Sequence, residues 1–276
     1  MTARFAIATR EELWVHGRLA ERRLSHGEAR DDEQGIVATD ARDDALVSTC
    51  DRRMDELRDA VRPDLRLRLV AEARLDGVTS TITASLGRHS LVTDAVHLDE
   101  DVALLRRAAL ESEAEVRPLP ILWRNGSAAV LLHEAAGHPA EHGLPPLALP
   151  AWLQLENPLT LRRASFRDVP LRRMTNLVVR AADAPFALPE ARLEVLLVDG
   201  GGYEPLTDVV TLRVAAADLV EGDTTRRVAP FTLTRARGDF RFLGAAGEPL
   251  RYPGVICSRE GQELVVGSHA PLLVTA

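Results

Sequence analysis

Apolar positions change period several times along this chain, and the changes mark its elements. Between Cys50 and Val61, the residues Met54, Leu57 and Val61 recur at helical spacing with Asp and Arg between them. An amphipathic helix is expected there, with Cys50 as a small hydrophobe at its start and Pro63 as its stop. Leu65, Leu67, Leu69 and Ala71 then alternate with polar positions, and Val78, Ser80, Ile82 and Ala84 alternate with Thr on the far side of Asp76-Gly77. A period of two on both sides of such a dipeptide predicts a β-hairpin. Helical spacing returns over 98–115, with Val102, Leu105 and Ala109 inward and Asp99 or Asp101 near the start.

After a linker at 113–118, the run 119–124 reads as a short apolar strand and Asn125-Gly126 as a turn. Ser127 is placed to cap a helix over 128–138. Pro145, Pro146 and Pro150 forbid a regular helix over 144–153, so a loop over the preceding motif is expected. Apolar runs at 192–198, 209–220, 227–235, 240–243, 264–266 and 272–274, broken by Gly and Pro, predict strands. The charge-rich stretch 10–44 has room for two or three edge strands. The fold class is therefore α+β: a small mixed N-terminal domain over 1–116 and a β-rich C-terminal domain over 117–276 that carries the motif helix.

Composition narrows the function. With 276 residues, 46% hydrophobic and 27% charged, the chain is ordinary globular material able to bury a core. A net charge of −7 gives no reason to expect nucleic acid or an anionic membrane as partner. All 34 basic residues are Arg, which excludes a lysine Schiff base. No apolar run approaches the roughly 20 residues of a bilayer span, and the first ten residues lack the apolar region of a signal peptide. Two cysteines make no disulfide framework. A cytoplasmic, reducing location is the expectation, and it keeps the Cys257 thiol free.

The chemistry gathers at Leu131-Leu132-His133-Glu134-Ala135-Ala136-Gly137-His138-Pro139-Ala140-Glu141-His142. In an H-E-x-x-H helix the two His are about 400° of rotation apart and share a face; the five-residue step here gives about 500°, so an undistorted helix would splay them. A single π-helical turn absorbs one extra residue, with Gly137 best able to take the strain. Three readings stand side by side: a zinc-type motif, an alanine-rich buried helix with incidental His, and a pair formed by His138 and His142 with Glu141 between them. Far downstream, Cys257 supplies a thiolate that can close a His, His, Cys site around zinc.

Taken together, these stretches resemble the TldD half of the TldD/PmbA family of metallopeptidases. In that family an H-E-x-x-x-H helix is followed by a Cys in a C-G-K-D-G-Q-like loop. Pro170-Leu171-Arg172-Arg173-Met174-Thr175-Asn176 is similar to the family's P-R-M-T-N segment, and Asp199-Gly200-Gly201-Gly202-Tyr203-Glu204-Pro205-Leu206-Thr207-Asp208 to its Gly-rich turn. The N-terminal region, about 115 residues, is shorter than the family's. The resemblance implies a zinc metallopeptidase acting on short or unfolded peptides. One Zn²⁺ per chain would be held by His133, His138 and Cys257, with Glu134 as general base. It further implies Glu141 orienting a ligand His, Arg173 and Asn176 holding substrate or bracing the loop, and a homodimer or a heterodimer with a PmbA-type subunit. A non-catalytic or partner-dependent subunit and a small-molecule amide hydrolase of a biosynthetic pathway are the alternatives. His16, His26, His89 and His97 share no ligand spacing and are expected at the surface, and His269 stands outside the ligand set.

Overall fold

The structure, a computed structural model, describes residues 4–30, 37–38, 44–74, 77–156, 159–164, 167–174, 176–182, 186–259 and 262–276. Its described part is rich in strands with few helices. One compact unit is built on Met1–Val102, Leu161–Leu171 and Ile256–Leu264. β1 (Arg4–Val15) and β2 (Arg18–Arg30) form a long antiparallel hairpin, onto which β3 (Val37–Ala38) adds. After α1 (Asp44–Arg58) come β4 (Arg66–Arg74), β5 (Gly77–Leu86) and β6 (His89–Thr93), giving the order β3-β2-β1-β4-β5-β6. Leu67, Leu69, Ala71 and Ala73 of β4 are buried and their neighbours are not, as the period of two requires. Leu46, Val47, Cys50, Met54 and Leu57 put the apolar stripe of α1 onto this sheet.

Several boundaries differ from expectation for local reasons. α1 begins at Asp44, so Cys50 is in mid-helix, where its thiol donates to the Ala8 carbonyl at 3.0 Å. The helix ends at Arg58, because the Ala60 and Val61 amides bond only three residues back, to Leu57 and Arg58, before Pro63 is reached. Gly77, expected in the turn, pairs with Arg74 inside the hairpin, while Asp76 lies outside the described residues. His89 is buried at 7% exposure, not at the surface, because it pairs with Leu86 at the start of β6. His97 bonds Asp94 at 2.9 Å, and the side chain of His26 lies outside the described residues.

α2 (Leu98–Ala108) is shorter than the predicted 98–115. The buried Arg227 guanidinium takes the Arg107 and Ala108 carbonyls at 3.1 and 3.4 Å, ending the helix with Ala108 inward and Ala109 exposed. The stretch after it is no free linker: the Glu113 and Ala114 amides both donate to the Arg227 carbonyl, at 2.8 and 2.9 Å.

A second compact unit is built on Ala103–Thr160, Arg172–Val255 and Val265–Ala276. At its centre is β7 (Ile121–Trp123), all three residues buried. The turn that follows has Asn125 and Gly126 at φ 53 and 74, closed by Ser127 N–H to the Arg124 carbonyl at 2.8 Å. Ser127 is not a cap: its backbone is already helical and its hydroxyl donates to the Val195 carbonyl at 3.2 Å. α3 (Ala128–Leu132) is buried at every residue and passes through a π-helical turn into α4 (His138–Glu141). β8 (Leu153–Glu156), β9 (Leu159–Ala164), β10 (Arg167–Met174) and β11 (Asn176–Ala181) follow, β9 pairing with β10 and β8 with β11.

The remaining strands are longer or more divided than the sequence suggests. β12 (Ala191–Glu204) runs straight through the glycine run expected as a turn, with Gly200, Gly201 and Gly202 paired to Arg213, Leu212 and Thr211 of β13 (Val209–Glu221). The expected strand 227–235 is two, β14 (Thr224–Val228) and β15 (Phe231–Ala236), both on β13 and parted at Pro230, which has no amide for the ladder. β16 (Phe242–Arg259) starts only at the third residue of the predicted 240–243, and β17 (Gln262–Thr275) merges the two last predicted strands. The order is β14-β13-β12-β7-β17-β16, with β7 parallel to β12 and antiparallel to β17. Trp123, fully buried, donates its indole N–H to Thr275 at 3.0 Å and locks that centre. Among the described residues, no helix is long and apolar enough to cross a membrane.

Two features of the fold are directly testable. Glu12 is buried in β1 and accepts from Trp14, Arg22 and Arg58 at 2.5–3.0 Å. Burial alone would raise its pKa, but the hydrogen bonds from Arg58, Trp14 and Arg22 outweigh it and hold the carboxyl at about 2, against an ordinary 4.5. A folded value below the unfolded one stabilises the fold above pH 4.5, and the contribution is lost as pH falls toward 2. Glu12→Gln is expected to cost about 1–3 kcal/mol at neutral pH. In chemical denaturation the gap to wild type should close between pH 4.5 and 2; a constant gap would show that the charge contributes nothing. Gly126→Ala is expected to cost a similar ~1–3 kcal/mol, since a Cβ there would lie 2.6 Å from the Leu250 carbonyl oxygen at a φ that disfavours it.

Candidate metal centre

The motif helix solves the five-residue spacing by widening. The His138 amide bonds to the His133 carbonyl, five residues back, across the π-helical turn His133–Gly137. The two imidazoles, which an α-helix would splay by about 140°, are thereby in T-shaped contact, with ring centroids 4.7 Å apart and planes at 84°. The distortion is spread over the turn: Gly137 has ordinary right-handed torsions of −68° and −56° and takes no special strain. Pro139 falls in the first turn of α4, where a missing amide costs least.

Nitrogen of His133, nitrogen of His138 and the sulfur of Cys257 all lie within 4.8 Å of one another. His133 and Cys257 are 2% and 5% exposed. Among the described residues, neither His142 nor His269 joins such a cluster, so the His138/His142 pairing is not formed. Two imidazoles and a thiol are a zinc-type donor set with a fourth position to spare. Two buried atoms beside them, His133 Nδ1 and Glu134 Oε2, have no hydrogen-bond partner, although such atoms ordinarily cost about 1–3 kcal/mol each when left unsatisfied. A cation and a bound water or substrate are the kind of partner that this arrangement fits.

Electrostatics agree with that use. Burial, and then the neighbouring His138, push His133 down to about 3, so its imidazole is neutral and its lone pair available at pH 7. Burial pushes Glu134 up to about 7, against the pull of His138, which is 3.4 Å away; a bound cation would draw it down again. Glu141 is the opposite case. Burial would raise it, yet hydrogen bonds from His138 Nδ1 at 3.0 Å and the Met174 amide at 2.6 Å hold it below the ordinary carboxylate range. Donating Nδ1–H to Glu141 gives His138 the tautomer in which Nε2 could ligate a metal.

Arg173 is wholly buried, its Nε 3.6 Å from Glu141 Oε1, so it braces the carboxylate that orients His138. The side chain of Asn176 lies outside the described residues. What the sequence did not reveal is Gly201. A Cβ there would come 2.8 Å from both Cγ and Oε1 of Glu134, so bare backbone of β12 walls that carboxylate. The glycine run was legible, but as a turn. Two residues on, the Tyr203 ring faces His142 at 6.3 Å, and its hydroxyl donates to Asp208 at 2.7 Å. Burial and that bond push Tyr203 up to about 12. Arg237 reaches Asp208 and the Pro145 carbonyl, each at 2.8 Å, and so ties the irregular, proline-rich stretch 144–150 to the end of β12.

The fold is shared with solved structures. TldE from Thermococcus kodakarensis matches with a TM-score of 0.50 and 9% identity, over 99% of this chain and 96% of that one. A Thermotoga maritima protein described as a candidate modulator of DNA gyrase matches at 0.51 and 10%, over 99% and 94%. At such identities the likeness speaks for fold alone, and the fold is of the TldD/PmbA type, as the four motifs imply. No protein-family model and no curated protein sequence matches the chain.

Because Glu141 both orients His138 and satisfies the Met174 amide, two substitutions separate the roles. Glu141→Gln keeps an acceptor for Met174 but removes the charge that the buried Arg173 faces, and is expected to lower the melting temperature less than Glu141→Ala does while lowering zinc affinity about tenfold. Glu141→Ala should weaken zinc by a similar or larger factor and also destabilise the fold by about 1–3 kcal/mol. Chelator competition and thermal denaturation read the two effects; unaltered zinc affinity in both variants would rule out the orienting role.

Proposed function

We propose that, on its TldD/PmbA-type fold, this chain is a zinc metallopeptidase: His133, His138 and Cys257 hold one Zn²⁺ and Glu134 is the general base. The observation that carries the reading is the convergence, within 4.8 Å, of two imidazoles from a widened helical turn and one thiol from β16. Zinc bound by three such ligands acidifies water and polarises a carbonyl. The chain's own residues do the rest. Glu134, next in sequence to a ligand and 5% exposed, takes the proton of the attacking water and passes it to the leaving amine. Glu141 keeps the His138 ring turned, with Arg173 behind it.

A peptide is the substrate that the surroundings suit. Beyond Leu197, β12 pairs among the described residues with β13 alone. The Tyr252 hydroxyl closes its other edge at Val198, accepting from the amide at 2.7 Å and donating to the carbonyl at 2.8 Å. From there to Glu204 the strand offers backbone groups next to Glu134, a template for an extended peptide whose side chains are not read. A second copy or a PmbA-type subunit as partner, and a reducing cytoplasm that keeps Cys257 a thiol, belong to the same proposal.

Metal analysis and peptide turnover test it together. Wild type should carry about one zinc per chain and Cys257→Ala little, while Glu134→Gln should keep zinc and lose peptidase activity by a factor of about 10³ or more. Zinc retained by Cys257→Ala removes the thiolate from the site, and turnover retained by Glu134→Gln removes the base. Zinc with no turnover until a PmbA-type subunit is added would identify the chain as a partner-dependent subunit.

A further inference from the structure

The glycine run in β12 has different surroundings at each residue, and the difference is informative. A Cβ on Gly200 would strike the Arg213 guanidinium, whose terminal nitrogen donates to the Asp199 carbonyl at 2.8 Å. The three atoms nearest to a Cβ on Gly201 all belong to Glu134, at 2.8 Å for Cγ, 2.8 Å for Oε1 and 3.0 Å for the carboxyl carbon. A Cβ on Gly202 would meet nothing within 4 Å. The ladder itself does not require glycine at 201, since this residue pairs in register with Leu212 and is not at positive φ. What requires it is the side chain across from it.

Gly201, on the proposed reading of Glu134 as general base, is therefore a positioning residue. We infer that the bare backbone at Gly201 sets where the Glu134 carboxylate stands, and that any side chain there would move the carboxylate rather than the strand. The strand is held on one side by β13 and farther back by β7, whereas the carboxyl is the end of a flexible side chain with one oxygen lacking a hydrogen-bond partner. Between a ladder and a rotatable carboxylate, the carboxylate yields. Glu134 then swings by the few tenths of an ångström to one ångström that a buried base cannot tolerate, since misplacement on that scale can cost about a hundredfold in rate. None of those three nearest atoms belongs to His133, His138 or Cys257, so metal binding should not follow activity down.

The experiment compares Gly201→Ala with Gly202→Ala, each in the wild-type and Glu134→Ala backgrounds. Gly201→Ala is expected to lower kcat about a hundredfold with KM and zinc content near wild type, and Gly202→Ala, where a Cβ meets nothing within 4 Å, to leave zinc content and melting temperature near wild type. Melting temperatures of the zinc-free proteins give a readout that needs no turnover. Gly201→Ala should lower the melting temperature by about 2–4 °C when Glu134 is present and by less than about 1 °C in Glu134→Ala, where the crowded side chain is gone. Equal shifts in the two backgrounds overturn the inference, as does a Gly201→Ala enzyme with unchanged kcat. If no variant or wild type cleaves peptides, the proposed function fails by itself, and the melting cycle still decides whether Gly201 holds Glu134.

Discussion

One hydrogen bond displaced by one residue organises this protein's chemistry. With the His138 amide bonded to the His133 carbonyl, the helix gains the residue that would otherwise send its two imidazoles to different faces. A widened turn is less favourable than an α-helical one and needs room as well as support. The support is α3, buried at every residue and anchored behind the tight turn at Asn125-Gly126. Room comes from small residues: Ala135, Ala136 and Gly137 within the turn, and Gly201 across from it.

The same few residues show how environment, not residue type, assigns roles. Glu134 and Glu141 lie on one continuous helical segment, and both are nearly inaccessible. Glu134 has a buried oxygen with no hydrogen bond and is pushed toward neutrality; Glu141 accepts from an imidazole and an amide and stays charged. A carboxylate near neutrality suits moving a proton, and one fully satisfied suits holding a ring. On β1, Glu12 follows the second rule more strongly, with two guanidinium groups and an indole around it.

Much of this was legible. The alternation in β4 and the stripe of α1 were plain because each element buries one face, and burial on one face is what periodicity records. The need for a π-helical turn followed from the count of residues between His133 and His138. Boundaries were less legible where distant groups decided them: Arg227 ends α2 from over a hundred residues away in sequence, and Pro230 divides a strand whose two halves share one partner. Arg173, expected to hold substrate or brace the loop, is wholly buried beside Glu141, a partner on another element that no local pattern reveals.

By itself the sequence determined the identity and spacing of the two histidines, the carboxylate beside them, and the alternation of elements in order, since these depend on residue types and on the repeat of the local backbone. Only the tertiary structure decided that the glycine run is strand and not turn, that it faces Glu134, and that the Cys257 sulfur meets the two imidazoles. The physical reason is that a glycine carries no pattern of its own. What it permits is visible only in the neighbour that occupies the space a side chain would have filled.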